Sequence, residues 1–204
     1  MATGAATATA VQQWRALLAG ALESNAHLNY SSYFQLATIS VNGRPANRTV
    51  VFRGFQEGSD NILINTDRRT KKVEEITHNP YGEICWYFTE SWEQFRINGR
   101  IDIIDCSTRD LAKLQQREEA WFASSLNSRL QSLRPFPRLP VLEEPSEDYQ
   151  LDPSTGPVDS FCLLVFGPEQ VDYVNLKTNV RFLFTSSHSS DQSTNVWKFE
   201  KVNP

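Results

Sequence analysis

Cysteine, histidine and methionine are scarce in this chain of 204 residues: three Cys, three His and one Met. Cys85, Cys106 and Cys162 are odd in number and widely spaced, and no CxxC pair occurs, which argues against a disulfide framework or a zinc ribbon. His27, His78 and His188 fall in no metal-ligand pattern, so no metal is expected. No apolar run approaches the ~18 residues that span a bilayer. GxGxxG, Walker, GxSxG and HExxH motifs are all missing. The net charge of −4 and pI near 5.4 argue against a dedicated nucleic-acid binder. The paired carboxylates (Glu74-Glu75, Glu118-Glu119, Glu143-Glu144) read as solvated helix or linker charge. With no evident nucleophile or general base, any hard chemistry is expected to come from a cofactor.

What the chain does have is β-rich sequence cut by turns. Aromatic content is 11% and apolar content 40%, ordinary for one globular domain. The opening "MATGAATATA" carries no secretory pattern and is expected to be a disordered start over 1–10. A cytoplasmic location is expected, with a plastid left open by the Ala/Thr-rich, acid-free composition. Val11, Trp14, Leu17, Leu18, Ala21 and Leu22 recur at helical spacing. "SSYFQLATISVNGRPANRTVVFRGF" reads as two strands about an Asn42-Gly43 turn, and "NILINT" as a third. A helix follows, with Asp67 as expected N-cap and Pro80 as its stop. "GEICWYF" and "EQFRINGRIDIID" read as two long strands, then "STRDLAKLQQREEAWFASSL" as a helix capped by Ser107. Residues 134–158 carry six prolines and the run "EEPSED", and are expected to be an irregular excursion. "FCLLVFGPEQVDYV", "NVRFLFT" and "NVWKFEKV" complete the strands, the last two joined through a polar loop, "SSHSSDQST". Hairpin connections predominate, so the expected fold is mostly β with peripheral helices: an antiparallel β-barrel in a single domain over 11–204.

The one concentration of positive charge is "NTDRRTKKVEEITHNP". Four of the five residues from Arg68 to Lys72 are basic. A helix N-terminus offers unpaired N–H groups and a positive dipole end. With Asn65 and Thr66 before it and Lys71 and Lys72 in its first turns, the stretch has the makings of a phosphate seat. Taken alone, it reads more simply as a solvated helix face with i,i+4 pairs such as Lys71–Glu75. In "NRTVVFR", Arg48 and Arg53 lie five positions apart on a strand and should diverge. Alternation in "EQFRIN" puts Glu93, Phe95 and Ile97 on one face and Gln94, Arg96 and Asn98 on the other. A Gln–Arg–Asn face is exposed or lines a polar cavity.

In order, "RTVVFR", "INTDRRTKK…NP", "WEQFRINGR", a helix bearing Trp121, "VDYVNLKTNVRFLF" and a closing "WKFEKVNP" resemble the FMN-binding split barrel of the pyridoxamine 5′-phosphate oxidase family, in its plant-type branch, from about residue 30 to 204. The resemblance implies FMN as cofactor. Arg48, Thr49, Val50, Val51, Phe52 and Arg53 would form the strand along the flavin. Asn65 and Thr66 would be the flavin-binding pair, and Lys71 and Lys72 the phosphate-binding pair. Gln94 would arrive from a second subunit of a homodimer, and Arg181 would contact the flavin. Arg53, Lys177 and Asn179 would be the catalytic and substrate-holding positions. Lys177 and Asn179 stand where the family carries an Arg-x-His pair, and Tyr173 or Val174 where it carries a Trp. The family's substrate-phosphate group on the third helix finds partial counterparts, with Arg117 and Ser124 as the candidates to compensate. The implied activity is oxidation of pyridoxine or pyridoxamine 5′-phosphate to pyridoxal 5′-phosphate with oxygen as acceptor. The departures leave open an FMN-dependent oxidoreductase on another substrate, or a flavin-binding protein without turnover.

Overall fold

Alternation of apolar and polar residues builds the strands, and the way they pair closes a barrel. The computed structural model describes residues 3–141, 149–187 and 196–204. Its elements are α1 (Thr3–Ser24), β1 (Tyr33–Ile39), β2 (Pro45–Val51), β3 (Ile62–Asp67), α2 (Lys71–His78), β4 (Tyr81–Phe88), β5 (Glu93–Ile104), α3 (Leu111–Phe122), α4 (Leu126–Leu130), β6 (Phe161–Asn175), β7 (Val180–Ser187) and β8 (Val196–Val202). Every strand pairing is antiparallel, in the order β2-β1-β4-β5-β6-β7-β8, with β3 also on β6.

The long strand β6 is the fork. One edge runs along β5; on the other, Phe161–Phe166 pairs with β3 and Gln170–Asn175 pairs with β7. Just past β2 the chain turns onto β3: Arg53 N donates to Leu63 O at 3.0 Å, and Leu63 N donates to Gly54 O at 2.9 Å. Strands β2, β1, β4, β5, β6 and β3 therefore form a ring, and β7–β8 splay off it. Among the described residues, β2 itself pairs only with β1. The other edge of Arg48–Val51 pairs with no strand among the described residues.

Two details show why these residues take these positions. The β5–β6 register shifts between Asn98 and Gly99, opposite Pro168, which has no N–H to give the ladder. A Cβ on Gly99 would lie 2.1 Å from Gly167 O, so only glycine allows this approach. In the β1–β2 turn Ser40 N bonds Arg44 O around three residues, Val41, Asn42 and Gly43, of which only Gly43 is left-handed, at φ +78.

The core is aromatic. Trp14, Phe34, Trp86, Phe88, Phe95, Phe166, Phe184 and Trp197 are at most 1% exposed. Helix α1 seals one end: Trp14 meets Trp197 and Phe55 at 5.7 and 6.0 Å, and Leu18 and Ala21 are buried with it. It begins at Thr3, within the stretch expected to be disordered; alanine, the strongest helix former, dominates there. No described helix is long and apolar enough to cross a membrane. Among the described residues, no helix or strand lies between Leu133 and Phe161. Residues 142–148 of the expected excursion, and 188–195 of the expected polar loop, lie outside the described residues.

Two expected caps are corrected. Helix α2 is preceded by Thr70, not Asp67. Asp67 is the last residue of β3, and its carboxylate accepts Arg69 N at 2.8 Å and Arg69 Nε at 2.9 Å, closing the turn before the helix. Helix α3 is capped by Asp110, which accepts from Ala112 N and Lys113 N, while Ser107 donates to Asp105 instead. In both places a nearby Asp offers the backbone a competing Asx turn.

Candidate functional site

The basic stretch divides its charges among different tasks. Arg69 is spent on Asp67 and on the carbonyl of Arg134 at 3.0 Å. Arg68 turns to Asp105, 3.6 Å away. Lys71 is exposed and has no partner among the described residues. Lys72 alone points inward: its ammonium donates to Thr66 Oγ1 at 2.9 Å and Thr70 Oγ1 at 3.2 Å. The reading of this stretch as a solvated helix face is thus corrected at Lys72, whose ammonium is tied to β3 and to the turn before the helix. Burial, and then the neighbouring Arg48 guanidinium, hold the Lys72 pKa below the ordinary lysine value.

Arg48 comes from the inward row of β2. Nη2 lies 2.6 Å from Glu75 Oε2, and Nη1 donates to Thr38 and to Leu36 O. Glu75 is 1% exposed and also accepts Thr38 Oγ1 at 2.6 Å. Arg48 and Arg53 do diverge. Arg53 is exposed, has no partner among the described residues, and lines two cavities of about 210 and 310 Å³. They meet along Asn65 and Ser124, whose side chains bond at 2.8 Å. The buried Oδ1 of Asn65 has no partner among the described residues.

The smaller cavity holds a residue that sequence reasoning missed. Arg129, in the last turn of α4, is 8% exposed. Its Nη1 bonds Pro153 O at 2.8 Å, yet its buried Nε has no partner among the described residues. Thr66, Ser124, Ser128 and Ser132 line the same cavity. A buried guanidinium with a free donor among hydroxyls is a seat for an anion. The sequence signal was slight, because one Arg in a five-residue helix reads as solvated charge. Arg117 does not serve here: it is buried and donates to Phe161 O and Val158 O at 3.1 and 2.6 Å, so it pins β6 to α3.

The remaining expected residues form a second group on the outer face of β5–β6–β7. Gln94, Val174 and Arg181 share one cross-strand row. The Gln94 amide makes no hydrogen bond among the described residues, whereas Arg181 is bound to Asp172 by contacts of 2.8 and 2.6 Å. Lys177 donates to Glu90 O at 2.6 Å. Asn179 takes φ +55, a left-handed conformation that asparagine tolerates well. Val50 is in the core and Phe52 packs on Phe55 and Trp86, leaving the strand's unpaired backbone edge, not these side chains, available to a ligand. No described contact joins this outer group to Lys72, Arg53 or Arg129.

The fit to a flavin mononucleotide can be judged from these features. A lysine destabilised by burial and a neighbouring cation, beside Thr66 and a helix N-terminus, calls for an anion. The unpaired Oδ1 of Asn65 calls for a donor, and the open edge of β2 for a polar planar partner. Together they fit a ligand that joins one phosphate to a polar planar ring, as FMN does.

A family model described as pyridoxamine 5′-phosphate oxidase, FMN-binding domain, matches residues 11–105. Pyridoxine/pyridoxamine 5′-phosphate oxidase 2 of Arabidopsis thaliana is 59% identical over 197 residues, 96% of this chain and 99% of that one. A crystal structure of a pyridoxamine 5′-phosphate oxidase-related, FMN-binding protein from Nostoc punctiforme matches with a TM-score of 0.84 at 39% identity, over 94% of this chain and 97% of that one. PhzG from Burkholderia lata, at 15% identity over 96% and 91% of the two chains, shares the fold alone, with a TM-score of 0.64. The chain belongs to the pyridoxamine 5′-phosphate oxidase family of FMN-binding oxidoreductases.

Proposed function

We propose that the protein is an FMN-dependent oxidase that converts pyridoxine or pyridoxamine 5′-phosphate to pyridoxal 5′-phosphate, with oxygen as the final acceptor. The near full-length identity to the Arabidopsis protein supports the substrate class. The observation that carries it is that Thr66 stands between Lys72 and the cavity of Arg129, two places suited to an anion. Lys72 bonds its hydroxyl, and the cavity of Arg129 is lined by it. One seat suits a cofactor phosphate and the other a substrate phosphate.

FMN, when bound, supplies the two-electron acceptor chemistry that no side chain here offers. The chain's own share is placement. Lys72, Arg48 and the first turn of α2 hold the cofactor phosphate, and the free edge of β2 with Asn65 orients the ring. Arg129 and the serine hydroxyls hold the substrate phosphate. Arg53, exposed and unpaired between the two cavities, presents a cation to whatever lies there.

The reading includes a homodimer. Tyr33, Ile39, Tyr81 and Tyr87 stand exposed on the outer face of β1 and β4, an apolar surface suited to a second copy. The free amide of Gln94 lies on the continuation of that face. Gln94, Arg181, Lys177 and Asn179 would then complete the site of the partner. A second reading, an FMN-dependent oxidoreductase on another substrate, is favoured by the commitment of Lys177 to Glu90 O. Formation of pyridoxal 5′-phosphate and hydrogen peroxide in equal amounts from either phosphorylated vitamer tests the proposal. A flavin-loaded protein that yields neither product refutes it.

A further inference from the structure

Glu75 is a buried carboxylate that the reading above does not use. It sits mid-helix on α2, and its neighbours on the buried face are Val73 and Ile76. A carboxylate in such a place is costly unless it is paired. Its partners are Thr38 and Arg48, both at 2.6 Å from Oε2. Lys72 lies three residues earlier on the same helix, and the charges of Arg48, Asp67 and Glu75 all act on it. Asp67 is already engaged by Arg69. Glu75 is therefore the direct ion-pair partner of Arg48, and its charge also acts on Lys72, more weakly than that of Asp67.

We propose that Glu75 is a positioning residue of the phosphate seat, a resident counter-anion that holds Arg48 in place in the FMN-free chain and opposes the FMN phosphate when it binds. The inference rests on the reading that Arg48 and Lys72 form that seat. Its logic is competition between two anions for the same cations. Glu75 neutralises Arg48 and fixes its Nη1 on Leu36 O and Thr38, so the seat stays assembled without ligand. A phosphate arriving at the same guanidinium meets a charge partly satisfied already and a carboxylate behind it. Assembly is retained and affinity is moderated, which keeps the cofactor exchangeable.

The test uses Glu75→Gln, which keeps a hydrogen-bond acceptor and removes the charge. Dissociation constants of FMN and of riboflavin, which lacks the phosphate, are measured by flavin fluorescence, with the melting temperature of the FMN-free protein alongside. The variant should bind FMN about tenfold more tightly, an order of magnitude typical for removing a like charge near a phosphate in a partly buried site. Riboflavin affinity should not move, and the FMN-free protein should melt lower than wild type. Unchanged or weaker FMN binding, or an equal shift for riboflavin, overturns the proposal and leaves Glu75 as a structural ion pair. Should Glu75→Gln not fold without FMN, Glu75→Asp draws the charge back from Arg48; it should show a smaller tightening for FMN alone, and a loss of that selectivity overturns the idea. Unchanged FMN affinity in Lys72→Met would show instead that the seat itself lies elsewhere.

Discussion

Replacing Lys72 by methionine separates what this residue does for the fold from what it does for the ligand. Its ammonium is desolvated, repelled by Arg48 and bound to two neutral hydroxyls. Losing those hydrogen bonds costs about 1 kcal/mol each, while removing a desolvated, repelled cation returns a similar amount. FMN-free stability should therefore change by less than about 1 kcal/mol. A charge-assisted contact to phosphate is worth about 1.5–3 kcal/mol, so FMN affinity should fall about 10- to 150-fold. Lys71→Met, at an exposed position, should change affinity far less. The pH dependence has a definite sign. The Lys72 pKa is lowered in the folded chain, so stability of the FMN-free protein rises with pH through a window ending near the ordinary lysine value of 10.5. The phosphate favours the protonated form, so FMN affinity falls as pH rises above the lowered Lys72 pKa of the FMN-free protein, and Lys72→Met should abolish that fall. Fluorescence titration across alkaline pH, with thermal unfolding of the flavin-free protein, reads both quantities. Wild-type affinity in Lys72→Met, or a stability loss well beyond 1 kcal/mol, would refute the reasoning.

Arg129→Met should raise the Michaelis constant for a phosphorylated vitamer about tenfold or more, with flavin content unchanged; steady-state kinetics and the visible spectrum check both. Lys177→Ala should raise the same constant more modestly, and no effect on any phosphorylated vitamer would remove this turn from the substrate site and favour the second reading. Gly99→Ala should destabilise the fold by more than about 3 kcal/mol, because the new Cβ would meet Gly167 O at 2.1 Å and the β5–β6 bulge cannot give way cheaply; chemical denaturation measures it.

The architecture was legible where local pattern and tertiary role agree. In β5 the alternation of Glu93, Phe95 and Ile97 with Gln94, Arg96 and Asn98 matches the burial pattern residue for residue. Trp14, Leu18 and Ala21 share the buried face of α1. What escaped depends on contacts distant in sequence. The inward turn of Lys72 is set by β1 and β3, the pairing of Arg48 with Glu75 spans 27 residues, and Arg129 gains its meaning from Asn65 and Pro153. Ring closure between Arg53 and Leu63 has no periodic signature, because it rests on two hydrogen bonds after β2 has ended. The two misplaced caps arose because a serine or an aspartate alone does not say whether its side chain closes a turn or starts a helix.

Anaerobic mixing of the yellow, FMN-loaded protein with pyridoxine 5′-phosphate tests the central proposal most directly. The flavin absorbance should bleach with the phosphorylated vitamer, remain far slower to change with unphosphorylated pyridoxine, and return on admitting oxygen with release of hydrogen peroxide. A protein that holds FMN through these residues and stays yellow with every phosphorylated vitamer would contradict it.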